Sequence, residues 1–206
     1  LAVGAFTTVI LDAKLGLPFV LVVPAAAVFG ALLGFIVGLP SLRFRGVYLA
    51  ISTLAMHYAI VFIATYYQAN YGQSASAGIS IRDPSFGPLV RRGDHVWHYF
   101  LLVFLTLTTL FCVNLARTRP GRAWMAIRDR DIAAEALGIN LTRYKLLAFM
   151  VSSTLASMSG SLLAYYSNVV TVEKYTIDLA VIYLAMIIVG GMGSILGTII
   201  GALFIT

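Results

Sequence analysis

Apolar runs long enough to cross a bilayer recur along the chain, separated by shorter polar stretches. A hydrocarbon core about 30 Å thick needs about 20 helical residues. The pattern predicts complete spans over 18–38, 47–67, 99–116 and 146–166. The last apolar stretch, 178–206, is interrupted by Gly190-Gly191-Met192-Gly193 and reads as a fifth span over 179–190, a glycine break and a further helix cut off at Thr206. Residues 1–11 are apolar but too short to cross. The expected fold is all-α and integral to the membrane: a polytopic helical bundle of about five complete spans with partial spans at both ends. Residues 1–206 are expected to form a single transmembrane domain, a piece of a longer subunit.

Composition excludes the main soluble alternatives. The chain is 60% hydrophobic and 11% charged, against about 45–50% and about 25% in soluble domains. One cysteine, Cys112, sits in an apolar run and cannot form an internal disulfide, so a disulfide scaffold is excluded. Charge placement then orients the chain. Of the net +6, the stretch 117–145 carries +4, and Arg43 and Arg45 carry two more. Basic clusters at the ends of apolar spans mark cytoplasmic loops rather than a nucleic-acid surface. Loops 39–46 and 117–145 therefore face the cytoplasm, and loops 12–17, 68–98 and 167–177 face outward. Trp97, Tyr99, Tyr66, Tyr67, Tyr165 and Tyr166 fall at the expected outer interface, where amphipathic rings are favoured.

Small residues repeat every four positions: Ala26, Gly30, Gly34 and Gly38; Ala156, Gly160 and Ala164, with Ser153, Ser157 and Ser161 beside them; and Gly193, Gly197 and Gly201. Residues at i and i+4 share a helix face, and small ones let backbones approach closely in lipid. These stripes are expected to be packing seams.

The chain carries no phosphate loop, no HExxH, no CxxC and no GxSxG motif. No catalytic residue and no metal site is expected; His95 and His98 alone make a weak ligand pair. His57 is the one ionisable residue well inside a confident span. It is either a hydrogen-bonded packing residue or part of a solute path. The lack of intramembrane acids disfavours an ion-driven carrier.

The stretch 117–145 is the most informative. Arg117-Thr118-Arg119-Pro120-Gly121-Arg122 breaks the third span, and 122–137 has helix-forming composition, with Arg128 and Asp131 spaced to pair. Gly138 suits a helix stop, and Asn140 suits the cap of the next helix. A short surface helix, a turn and a return to the membrane are expected. Such a helix can dock in a partner's groove or lie on anionic headgroups through its arginines.

The run from Gly121 to Asn140 (GRAWMAIRDRDIAAEALGIN) resembles the coupling loop of bacterial branched-chain amino acid ABC importer permeases of the LivM type. Two further blocks match in the same order: Leu42 to Ala55 (LRFRGVYLAISTLA) and Gly190 to Gly197 (GGMGSILG). In the general loop pattern, Ala133, Ala134 and Gly138 hold matching positions, and Ile132 stands where many members have glutamate. The resemblance implies a permease subunit of the inner membrane that pairs with a second permease subunit. Two cytoplasmic ATPase subunits would carry ATP and magnesium, this chain would bind no cofactor of its own, and a periplasmic solute-binding protein would deliver cargo. The ATPase-coupling residues it implies are Arg122, Ala126, Arg128, Asp131, Ala133, Ala134, Glu135 and Gly138. The outer loop 68–98 would form part of the binding-protein dock. Branched-chain amino acids are the implied cargo, with urea or another small amide or acid as the alternative. An ion-coupled carrier and a non-transporting membrane scaffold are the competing classes.

Overall fold

The computed structural model describes residues 1–42, 47–71, 78–81 and 94–206. Among them the helices are α1 (Ala2–Leu15), α2 (Phe19–Ser41), α3 (Val47–Tyr71), α4 (Asp94–Arg117), α5 (Arg119–Asp129), α6 (Asp131–Ala136), α7 (Leu141–Ser167), α8 (Ile177–Gly190) and α9 (Ile195–Ile205). Two short strands, β1 (Ile79–Ser80) and β2 (Val169–Val170), pair antiparallel with Ile79 opposite Val170. The chain is thus mostly helical. Segments within α2, α4 and α7 (Phe19–Pro40, Trp97–Arg117 and Leu141–Ser167) are long and apolar enough to cross a membrane. By contrast α8 has 14 residues, a length of about 21 Å at 1.5 Å per residue.

Several helices outrun their apolar cores. The hydropathy pattern assigns 68–98 to a loop, yet α3 continues to Tyr71 and α4 begins at Asp94. Backbone i→i−4 bonding does not require apolar side chains, and Asn70 adds a bond from its amide to the Tyr66 carbonyl at 2.9 Å. The expected 167–177 loop likewise holds β2 and a single 3-10 turn, Val172–Tyr175.

The central contact is between the antiparallel α2 and α7, and the glycine stripe explains it. A Cβ on Gly34 would lie 2.8 Å from the Phe149 carbonyl oxygen, and one on Gly38 would lie 2.8 Å from Leu146. A Cβ on Gly30 would strike the Ser157 side chain. The seam is closed because α2 presents only hydrogen at these positions to the backbone and side chains of α7. Helix α1 lies along α7 in the same way, with Gly4 on the Ser157 backbone and Gly160 on that of Leu1. Thr8, fully buried, donates to Ser161 Oγ at 2.6 Å and so satisfies a polar pair inside this contact.

The apolar core gathers at the end of the bundle away from 117–145. It contains Phe6, Val9, Phe19, Val22, Leu162 and Val170. Phe19 meets Trp97, Phe100 and Tyr165 edge-on, with ring centroids 5.8, 5.6 and 4.9 Å away. This divides the expected aromatic belt. Tyr66, Tyr99 and Tyr166 are exposed, whereas Trp97 and Tyr165 turn inward to fill the core. At this same end, Gln68 accepts a bond from the Val172 amide at 2.9 Å and joins α3 to the 3-10 turn. Burial pushes the Tyr175 hydroxyl up to about 12, and the Tyr183 hydroxyl adds to this.

Candidate functional site

At the opposite, basic end, α4 turns sharply into α5. The hydroxyl of Thr118 donates to the Leu115 carbonyl at 2.6 Å. Pro120 follows in the first turn of α5, where no amide donor is needed. Gly121 rests on the backbone of Leu115 and Ala116, so any side chain there would collide. The break expected over 117–122 therefore shrinks to one extended residue, Thr118, and the helix begins at Arg119. Its far side is pinned to α7: the Trp124 indole donates to the Tyr144 carbonyl at 2.8 Å.

The surface helix expected over 122–137 is two helices. Arg130, extended at φ −156°, separates α5 from α6. Asp131 then sits in the first turn of α6, where its charge suits the positive helix end. It forms its ion pair with Lys145 at 3.7 Å, both side chains partly exposed, an arrangement worth at most about 1 kcal/mol. The spacing-based pairing of Arg128 with Asp131 does not form, because Arg128 points the other way.

The α6–α7 turn follows the expected chemistry. Gly138 has φ +80°. Its amide donates to the Glu135 carbonyl at 2.9 Å and the Ile139 amide to that of Ala134 at 3.0 Å. This is the paired bonding of a Schellman stop. Two residues later Asn140 Oδ1 accepts from the Arg143 amide at 3.1 Å and starts α7.

The named loop residues divide into two sets. Ala134 is buried, and Arg128, itself exposed, reaches the turn between α8 and α9. Arg122, Ala133, Glu135 and Gly138 are exposed, and Ala126 and Asp131 are half-buried. What the motif reading missed is the apolar surface beside them. Ile132 is 83% and Leu137 79% exposed. The departure from the loop pattern at Ile132 was the visible signal.

Arg128 Nη2 donates to the Met192 carbonyl at 3.3 Å. Met192 lies in the glycine turn between α8 and α9, where Gly191 and Gly193 have φ +93° and +99°. A Cβ on Gly193 would collide with the Arg128 guanidinium. The expected single stripe Gly193, Gly197, Gly201 is thus split by function. Gly197 and Gly201 pack against α8, on the carbonyls of Gly190 and Met186, while Gly193 belongs to the turn.

His57, half-buried on α3, borders two cavities of about 240 and 220 Å³. The first also has Thr53, Ser153 and Ser157 in its wall, and the second has Leu179, Ala180 and Tyr183 of α8. The first residue, Leu1, lines both. Arg43 and Arg45, the 72–77 and 82–93 portions of the expected binding-protein dock, and the His95 side chain lie outside the described residues.

Residues 1–206 match the protein family described as branched-chain amino acid transport system / permease component. The high-affinity branched-chain amino acid transport system permease protein LivM of Salmonella typhimurium is 32% identical, over 99% of this chain and 53% of that protein. Its Escherichia coli namesake is 31% identical over the same shares. The fructose import permease protein FrcC of Rhizobium meliloti is 31% identical over 93% of this chain and 55% of its own length. The chain spans about half the length of these curated relatives. No solved structure gives a significant match.

Proposed function

The chain belongs to the branched-chain amino acid transport permease family, and from that premise we propose that it is a transmembrane subunit of a binding-protein-dependent ABC importer. Its cargo is branched-chain amino acids, and its place is the bacterial inner membrane. A second permease subunit completes the pathway, and a periplasmic binding protein loads it. Two cytoplasmic ATPase subunits hydrolyse ATP with magnesium; the chain itself binds no cofactor and catalyses nothing. In the membrane, α2, α3, α4 and α7 are full crossings. Helix α8 is a fifth, shorter membrane segment of 14 residues that runs from the 3-10 turn to the glycine turn. Residues 1–206 act as one transmembrane domain, with the cavities beside His57 on the solute path.

The observation that carries this reading is the pair of exposed apolar side chains, Ile132 and Leu137, on the basic end. Here Arg128 is engaged with the Met192 carbonyl, and Ile132 and Leu137 project outward, as anchors for a groove do. Because α5 is fixed to α4 and α7 through Gly121 and Trp124, a push on this knob moves the membrane helices. ATP-driven closure of the ATPase pair then supplies the difference between outward- and inward-facing states. The FrcC relative shows that similar chains are named for other cargo, so the substrate rests on the LivM relatives and the family description.

The test is ATPase docking. Ile132→Asp with Leu137→Asp changes two exposed positions, so membrane insertion and thermal stability are expected to stay unchanged. Co-purification of the ATPase subunits is expected to fall at least about tenfold, the scale of losing one buried anchor. Undiminished co-purification would contradict the docking role.

A further inference from the structure

We infer that Arg128 is the positioning residue that ties the α8–α9 hairpin to the coupling segment, so that displacement of α5 reaches the wall opposite His57. The inference rests on the importer reading and adds a route through named atoms.

The two helices of the hairpin pack chiefly on each other. Gly190 and Gly197 meet so closely that a Cβ on either would land on the other's carbonyl oxygen, and Gly201 sits equally tightly on Met186. No residue of α8 is buried. Among the described residues, the bond from Arg128 Nη2 to the Met192 carbonyl is the one hydrogen bond between the hairpin and the rest of the chain. A guanidinium is always charged, planar and rigid, and its bond to a carbonyl is charge-assisted. Here it fills the space left by the missing side chain of Gly193. It also lies just past the end of α8, where a helix collects partial negative charge. Contact, shape and field all hold the turn to α5.

The far face of the hairpin is where a displacement would matter. Leu179, Ala180 and Tyr183 of α8 stand across a cavity of about 220 Å³ from His57. Since α5 is bonded to α7 through Trp124, motion at the basic end carries Arg128 with it. A hairpin that follows Arg128 changes that cavity without any contact between the ATPase and α8. Coupling of this kind needs a connected element that both ends bias; the hairpin, joined to the 3-10 turn at the start of α8 and bonded to α5 at its glycine turn, is that element.

The experiment uses the complete transporter with its ATPases and partner permease, in a Cys112→Ala background. Spin labels are placed at the exposed positions Asp129→Cys and Leu196→Cys, and in a second sample at Ile36→Cys and Leu196→Cys. Without nucleotide, the 129–196 distance distribution is narrow with Arg128 and is expected to broaden in Arg128→Gln. On adding ATP, the 36–196 distance is expected to shift in the parent and stay still in Arg128→Gln. Uptake per ATP hydrolysed is expected to fall about tenfold, within the usual scale of coupling between sites. An unchanged 129–196 width, a retained ATP-driven shift, or uptake per ATP at the parent level would each overturn the tie. So would a loss traced to failed ATPase binding, which would make Arg128 a docking residue. A parent complex with no ATP-driven uptake would instead overturn the importer reading, and the nucleotide-free widths would still decide the tie.

Discussion

Gly138 has φ +80° and open space where a Cβ would stand, so a side chain there is opposed by backbone strain alone. The left-handed region costs an ordinary L-residue roughly 1–2 kcal/mol, and a β-branched residue suffers most. Gly138→Val is therefore expected to leave the permease inserted, to lower its thermal stability in detergent slightly, and to uncouple ATP hydrolysis from uptake. Full coupling in that variant would show that the α6–α7 turn carries no load. Gly138 and Asn140 were readable from sequence because stops and caps are local chemistry: each partner lies within a few positions. Arg128 was not readable in the same way. Local spacing offered Asp131, while the residue it bonds is 64 positions away. Nothing in a one-dimensional pattern ranks a distant carbonyl above a nearby carboxylate.

At the level of elements, the apolar runs located the membrane helices well and their ends poorly. Runs of about 20 apolar residues report where lipid will be met, so α2, α4 and α7 stand close to their expected bounds. Ends depend on backbone bonding that polar residues can also sustain, which is why α3 and α4 reach into the expected outer loop. The break at Arg130 is a single extended residue that helix-forming composition does not announce. Across it, α5 is bonded to α7 and the α8–α9 turn through Trp124 and Arg128, and α6 is paired to α7 through Asp131 and Lys145. The Trp124 bond can be tested directly. Trp124→Phe keeps the ring and removes the donor, at a net cost of about 1 kcal/mol. Hydrogen exchange over 119–129 is expected to speed up about fivefold, with α2 and α7 unchanged. Unaltered exchange would mean that the bend at Gly121 holds α5 by itself.

Across the molecule, the chain is sewn together unevenly. The end away from 117–145 has an apolar core around Phe19, while further along α2 and α7 meet through glycine and serine. The stripes of small residues announced which faces would pack, since only small residues allow such approach. They could not announce which helix would fill each face, because a stripe carries no address. The same limit hid the pairing of α8 with α9 and the division of Gly193 from Gly197 and Gly201. Broad apolar faces remain uncovered: no residue of the span in α4 is fully buried, although Trp97, Phe100, Leu101 and Phe104 pack against the core. In water such surface would be a liability; for a multi-pass membrane protein it is the ordinary exterior. Cargo is the least legible feature, since relatives named for branched-chain amino acids and for fructose are 32% and 31% identical to this chain.

The central claim is that this chain is moved by ATPases acting on its basic end. Uptake of radiolabelled leucine into proteoliposomes holding the complete transporter tests it most directly, with binding protein on the loading side and ATP on the other. The account predicts uptake that requires ATP, ignores an imposed proton gradient, and is lost when Ile132 and Leu137 are both changed to Asp. Uptake driven by the proton gradient with no ATPase present would contradict it.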